Sequence, residues 1–368
     1  MKTGVSPHPS AILMVGYNQS GWKALPALGD PQDAVKSSSN RLEKLSLTFT
    51  DRGKAMSGRY AFFKGRIVPI EEAVISVRTH AFNYGTGVFE GIRAYWNDEE
   101  QQLFIFRPRE HYERLLASAR MLLMNLPYTP DDLTRITVEL LQKEGYREDV
   151  YIRPIAYKAD EVIGVRLHNL KEELTIWTTP FGHYIEGEAA HVMVSSWRRI
   201  NDNAIPARSK ITGAYVNSAL AKSEAMLNGF DEAIVLTEDG HVAEGSAENL
   251  FIVRNGVLIT PPVTDEILEG ITRRTIIELA HNELGIPTVE RHIDRTELYY
   301  ADEMFLCGTG VQLVPVVSVD RRPVGTGEIG PITRRLHDLY FDVVRGKVPK
   351  YRHWCTPVYI PEPVRASS

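Results

Sequence analysis

The chain has 368 residues, 43% apolar and 24% charged, which suits a soluble globular protein of about two domains. With 42 Lys and Arg against 47 Asp and Glu the net charge is −5, so no basic surface for nucleic acid is implied. No apolar stretch approaches the ~20 residues that span a bilayer, and Cys307 and Cys355 match no metal or redox spacing, so we expect no membrane partner, no metal and a cytoplasmic location.

Residues 1–55 are rich in Ser, Pro and Gly and carry no sustained period, so they are expected to be a poorly ordered leader or extension. The run Ala11-Ile-Leu-Met-Val15 is too short for a secretory signal, and Met56 would make a natural start. From there Tyr60-Ala-Phe-Phe-Lys-Gly-Arg-Ile-Val68 reads as two short strands around a Lys-Gly turn. Leu103–Phe106 is a strand. Arg109 to Met124 is a helix with Leu115, Leu116, Ala119, Leu122 and Leu123 on one stripe. A second helix spans Asp131 to Glu144, opened by Thr129-Pro and closed by Gly145. Val150–Tyr157 and Glu173–Thr179 follow as strands, completing a small α/β domain over 56–179.

Pro180, Gly182 and Gly187 break both periods, which places an interdomain loop at 180–190. A larger domain is expected over 191–350. Its strands are read at His191–Ser195, Glu232–Thr237 and Asn249–Arg254, and its helices at Gly213–Asn228 and Ile271–Leu284, each closed by glycine. Residues 351–368 are expected to be a C-terminal tail. The fold class is therefore α+β, two domains with a cleft between them, where small molecules commonly bind.

Two segments carry chemistry. Asn203-Ala-Ile-Pro-Ala-Arg-Ser-Lys210-Ile-Thr-Gly-Ala-Tyr215 puts a lysine in a loop of small residues, ahead of a helix. His241-Val-Ala-Glu244-Gly-Ser-Ala-Glu248-Asn-Leu-Phe251 supplies two acids. A lysine that forms an imine, and a carboxylate that keeps a pyridine nitrogen protonated, are what pyridoxal phosphate chemistry requires. No lysine occurs from Ser223 to Gly346, which leaves Lys158, Lys171, Lys210 and Lys222 as central candidates. Lys171 lies in a charged run, Lys222 reads as a surface position beside Glu224, and Lys158 follows a strand; Lys210 has the room for a cofactor.

Leu268-Glu-Gly-Ile-Thr272 could be an anion cup or an ordinary helix start. Cys307-Gly-Thr-Gly310 is a second glycine turn, and Arg114 could clamp a phosphate with two bonds or be a surface arginine. Gly85-Thr-Gly87-Val-Phe-Glu-Gly91 has the spacing GxGxxxG, not that of a dinucleotide fingerprint, and is rejected as one.

Together these pieces resemble the class IV, or fold-type IV, pyridoxal-phosphate aminotransferases, and among them the branched-chain amino acid aminotransferases. The matching segments are His80–Tyr95, Phe106–Leu115, Tyr151-Ile-Arg-Pro154, Ser195-Ser-Trp197, Lys210–Tyr215, Glu244–Phe251, Gly270-Ile-Thr-Arg273 and Gly308-Thr-Gly310. They stand in the family's order over about residues 56 to 345; residues 1–55 and the tail are not covered.

The resemblance implies pyridoxal 5′-phosphate as cofactor and reversible transamination of Leu, Ile or Val with 2-oxoglutarate by a ping-pong route. Lys210 matches the imine-forming lysine, Glu244 the carboxylate at the ring nitrogen and Tyr215 the phenol beside the ring oxygen. Arg114, Ile271, Thr272 and Thr309 match the phosphate site, while Glu248 reads as structural within its loop. Tyr151 with the Thr309-Gly310 turn matches the α-carboxylate site, and Arg153 the receiver of glutamate's second carboxylate. Phe89 and Tyr84 match the apolar pocket; Tyr84 would come from the other subunit, implying a homodimer or an assembly of dimers. Phe181 and Gly310 depart from the tryptophan and alanine common at those positions. Within the fold, a D-amino acid or (R)-amine transaminase and an aminodeoxychorismate lyase are rival readings; outside it, a non-catalytic binding protein is.

Overall fold

The computed structural model describes residues 58–182 and 187–359, all within one compact unit that runs from residue 56 to 368. The expected leader 1–55 and the last residues of the expected tail lie outside the described residues.

Strands β1 (Tyr60–Phe63) and β2 (Arg66–Pro69) form the hairpin read from the sequence. Its two turn residues, Lys64 and Gly65, both have positive φ, the geometry that matches the twist of paired strands. Helix α1 (His80–Tyr84) ends on Gly85 in the left-handed region and leads into β3 (Gly87–Phe89), β4 (Ile92–Asn97) and β5 (Gln102–Phe106). Then come α2 (Pro108–Met121) and α3 (Pro130–Glu144). At the start of α3, Thr129 and Asp132 exchange side-chain to backbone bonds, a capping box that satisfies two helix-end donors. Helix α2 stops three residues short of the sequence reading. Leu123 takes φ 54°, which lets Leu122 and Met124 both turn into the core, and its carbonyl accepts a bond from Lys158 Nζ.

Strands β6 (Val150–Lys158) and β7 (Glu172–Pro180) complete the first lobe; β8 (Ala190–Arg198) opens the second. Helix α4 (Tyr215–Leu227) follows a 3₁₀ turn at Thr212–Ala214 and crosses between β8 and its parallel neighbour β9 (Glu232–Leu236). After them come β10 (Val242–Gly245), β11 (Asn249–Arg254), β12 (Val257–Thr260) and α5 (Ile271–Asn282). The chain continues through β13 (Thr288–Glu290), β14 (Glu303–Gly308), β15 (Gln312–Val319), β16 (Arg322–Pro323) and α6 (Pro331–Val344) to β17 (Cys355–Pro357).

The first sheet runs β17-β5-β4-β6-β7-β1-β2, with β3 also on β6, every pair antiparallel. The second runs β10-β9-β8-β15-β14-β11-β12-β13, with β16 also on β15 and with parallel pairs on both sides of β8 and between β12 and β13. Helices α2 and α3 pack Leu115, Leu133 and Leu140 against Ile92 and Ile152 of the first sheet; α5 and α6 pack Ile276, Leu279, Leu336 and Val343 against Phe251 and Phe305 of the second. The segment read as a tail holds β17, an edge strand of the first sheet.

Candidate active site

A cavity of about 460 Å³ is lined by the β3–β4 corner, β6, the loop 199–210, α4, the β10–β11 corner, the start of α5 and the β14–β15 turn. Lys210 is seated in it by backbone. Its N–H donates to Ser118 Oγ of α2 (3.2 Å), and its carbonyl accepts from Phe89 N–H (3.0 Å). Beyond it, Gly213 lies against Gly85, and Thr212 Oγ1 reaches the Gly85 and Gly87 carbonyls at 2.8 and 3.1 Å. The glycine segment rejected as a nucleotide motif thus has a structural task, which is to let the lysine loop approach backbone to backbone. Lys210 Nζ donates to Tyr215 Oη at 2.6 Å and lies 5.1 Å from the centre of the Phe89 ring.

The other lysines are committed elsewhere. Lys158 is buried, with Nζ on the Leu123 carbonyl and 3.5 Å from Glu172, and Lys171 is exposed. Lys222, read from the sequence as a surface residue, instead lines the cavity and donates to Glu232 Oε2 and the Asp231 carbonyl, both at 2.6 Å. The cause is the crossover, which lays this face of α4 against β9.

Glu244, on β10, is buried. Its Oε2 accepts from Asn249 Nδ2 (2.9 Å) and from Leu268 N–H (3.1 Å), and its Oε1 is 2.9 Å from Arg199 Nη2. Burial lifts this carboxyl above its ordinary range, against the opposing pull of Arg199, the Leu268 amide, Lys210 and Arg114. Arg199 escaped the sequence reading, although it closely follows the Ser195-Ser-Trp197 segment. Glu248 does bond within its loop, accepting from Ala247 N–H at 3.0 Å. Burial and the nearby Glu232 charge push it up to about 8.

Helix α5 begins at Gly270, which offers no side-chain cap, and Ile271 and Thr272 line the cavity. A Cβ at Gly270 would run into the Asn249 amide, so glycine is needed for that approach. Thr309 and Gly310 face the same space from the β14–β15 turn. Arg114 is there too, but not with the fork expected of a clamp: its Nε and Nη2 hold Glu90 Oε1 and Oε2 at 2.7 and 2.8 Å.

At the other end, Arg153 Nη2 donates to Tyr151 Oη (2.8 Å), and the guanidinium lies 4.5 Å from the Phe89 ring centre. Arg93 escaped the sequence reading as a separate position: it donates to the Gly182 and Gly310 carbonyls at 2.7 and 2.9 Å, tying the loop after β7 to the β14–β15 turn. Phe181 packs against Tyr151, with ring centres 5.3 Å apart and planes tilted by 54°, but does not itself line the cavity. Tyr84 is also off the cavity; it is partly exposed and its hydroxyl accepts from Gly164 N–H. Among the described residues no three His, Cys, Asp or Glu side chains gather to hold a metal ion.

The family described as amino-transferase class IV matches residues 87–319, more than half of the chain. The chain belongs to the class IV aminotransferases. A probable branched-chain-amino-acid aminotransferase of Aquifex aeolicus is 54% identical to this aminotransferase over 307 residues, 83% of this chain and 99% of its own length. A branched-chain-amino-acid aminotransferase of Pseudomonas aeruginosa is 42% identical, over 81% of this chain and 96% of its own. Among solved structures, the branched-chain amino acid aminotransferase of Thermobaculum terrenum in its PLP form superposes with a TM-score of 0.80 at 42% identity, covering 83% of this chain and 100% of that one. The enzyme of Thermoproteus uzoniensis, determined with norvaline, gives 0.79 at 46%, covering 82% and 99%. The fold is accordingly the α+β two-domain arrangement of fold-type IV.

This aminotransferase has the groups that pyridoxal phosphate demands. An amine, a buried carboxylate and an uncapped helix start open into one cavity, whose volume is in the range of small-molecule sites. Lys210 and Glu244 face it from different elements, the amine hydrogen-bonded to Tyr215 and the acid paired with Arg199.

Proposed function

We propose that this aminotransferase transfers the amino group of branched-chain L-amino acids to 2-oxoglutarate, by a ping-pong route, with Lys210 as the catalytic base. The observation that carries the reading is Lys210 Nζ, held at 2.6 Å by Tyr215 in a cavity that also contains Glu244 and the Phe89 ring. Pyridoxal phosphate, when bound, supplies an aldehyde that condenses with amines and a ring that takes up the electron pair left at Cα.

The chain's own groups do the rest. Lys210 Nζ removes the proton from the substrate's Cα and would deliver it to the cofactor's C4′ carbon, two bonds away, and Tyr215 Oη orients that amine through its hydrogen bond. Glu244 keeps a proton on the ring nitrogen. The Arg199 guanidinium, the Asn249 amide and the Leu268 N–H hold its carboxylate in place for that role. The first amides of α5 at Ile271 and Thr272, with Thr309 and Arg114, receive the phosphate.

For the substrate, Tyr151 and the Thr309-Gly310 turn hold the α-carboxylate, and Phe89 forms an apolar wall. Arg153 at its rim pairs the second carboxylate of glutamate, which would otherwise be buried uncompensated. Phe181 backs Tyr151. Tyr84, turned away from its own cavity, is assigned to that of a second copy. Exposed Val77, Phe82 and Ile163 nearby support a homodimer. No helix of the described residues is long and apolar enough to cross a membrane, and both cysteines are free and buried, which supports a cytoplasmic place for the enzyme. The small domain at 56–179 and the large one at 191–350 belong to the same proposal.

The test is a half-reaction screen on the holoenzyme. Added L-leucine, L-isoleucine or L-valine should bleach the cofactor's visible band, and L-glutamate should do the same. Lys210→Ala should abolish turnover. A stronger response to D-alanine or a simple (R)-amine would overturn the substrate assignment, and an active K210A would overturn the mechanism.

A further inference from the structure

Arg114 has five N–H donors, and the structure accounts for three of them. Nε and Nη2 take both oxygens of Glu90 at 2.7 and 2.8 Å, and Nη1 donates to the Glu269 carbonyl at 2.8 Å. Two remain, one on Nη1 and one on Nη2. Glu90 lies at the corner between β3 and β4, fully buried, and its N–H donates to the Pro154 carbonyl at 3.0 Å. His111, one turn before Arg114 on the same face of α2, sits 2.8 Å from Glu90 Oε2 through Nδ1. A carboxylate only accepts, so His111 must donate from Nδ1. Burial by itself would raise the Glu90 carboxyl, but Arg114 and His111 hold it down at about 2; burial keeps His111 below its ordinary range, and therefore neutral. The result is a fixed carboxylate with three donors converging on it.

We propose that Glu90 is the positioning residue of the phosphate site: by occupying the side-on fork of Arg114 it sets the plane of the guanidinium, so that the N–H left on each of Nη1 and Nη2 is held for an anion at the start of α5. The Glu269 carbonyl, next to the Gly270 cap, fixes the same arginine from the other side. The arrangement favours a phosphorylated aldehyde over the same aldehyde without phosphate. This inference rests on the reading of Arg114 as a phosphate ligand. Two effects of Glu90 compete. Its charge offsets that of Arg114 and so weakens any anion site, whereas its fork orients the donors. Hydrogen bonds weaken steeply with misalignment, so orientation wins.

The experiment titrates the full-length chain, stripped of cofactor, with pyridoxal 5′-phosphate and with pyridoxal, and reads the ratio of the two dissociation constants. In the unchanged chain the phosphate ester binds far more tightly. Glu90→Gln should cut that ratio by about tenfold or more while moving pyridoxal affinity by no more than about twofold. On an Arg114→Gln background the same change should leave the ratio where Arg114→Gln alone puts it. Should Glu90→Gln fail to fold, Glu90→Asp, which keeps the charge but shortens the reach, is measured instead and should also lower the ratio. A ratio that is unchanged or rises, or equal weakening of both ligands, overturns the positioning role. A native chain that does not distinguish the two aldehydes overturns the phosphate assignment beneath it.

Discussion

Glu248 shows how the floor of this cavity spends its charge. It lies over Gly245, close enough that a Cβ there would stand 2.8 Å from Oε2, and it shares the interior with Glu232, Glu244 and Lys222. Lys222 donates to Glu232, and Glu248 accepts from the Ala247 amide. Burial first, then the Glu232 charge, lift it from an ordinary 4.5 to about 8. The sign of the consequence follows from proton counting. Between these two values the folded chain binds the proton and the unfolded chain has released it, so stability falls as pH rises across that window. The slope is on the order of 1 kcal/mol per pH unit at its steepest. Glu248→Gln mimics the protonated acid, so the fall in Tm between pH 5.5 and 8.5 should shrink in that variant. An identical fall in both proteins would mean that Glu248 is ionised in the folded chain.

At the scale of elements, the decisive contact is between two glycine turns. Gly85 closes α1 at φ 66°, and a Cβ on it would stand 2.8 Å from Gly213 Cα, three residues beyond Lys210. Gly85→Ala therefore pushes the 211–213 turn away and moves Lys210 Nζ from Tyr215. The expected stability cost is about 1–3 kcal/mol, with a far larger fall in kcat, because small misplacements of a reacting group are costly. Single-turnover bleaching by L-leucine, measured beside thermal melting, separates the two; a variant that melts earlier but reacts at the native rate would refute the link.

That contact also marks the limit of what is legible in the chain. The β1–β2 turn and the capped helix α3 are legible because local residues decide them, and Lys210 and Glu244 because their chemistry is rare. Lys222 and Arg199 are not, since each becomes a cavity residue only through the strands that pack beside it. Helix α6 was not among the elements read, although Leu336, Tyr340, Val343 and Val344 carry its period. Strands as short as β3 and β10 hold too few residues to show alternation.

Over the whole molecule, the end of the chain returns to where the first sheet would otherwise stop. After α6 the backbone passes Trp354, whose carbonyl accepts from Arg107 N–H at 2.7 Å and whose ring lies under the Arg107 guanidinium at 4.5 Å. Cys355 then pairs with Phe106, Thr356 with Ile105 and Pro357 with Phe104, and Val358 N–H donates to the Leu103 carbonyl. β17 thus covers β5, whose Leu103–Phe106 run is buried throughout, and ties it to α6 through Cys355 Sγ, 3.2 Å from the Val343 carbonyl. Ending the chain after Trp354 removes this strand and leaves an apolar edge with open hydrogen-bonding groups, a template for pairing with another chain. Burial of Val358 alone is worth about 1.5–3 kcal/mol, and the ladder bonds of β17 add to it. The shortened protein should melt several degrees lower and scatter light on warming, with its cofactor band intact at low temperature because the cavity is lined by other elements. A truncated chain that melts with the full-length protein and stays monodisperse would show that β17 decorates the first sheet without holding it.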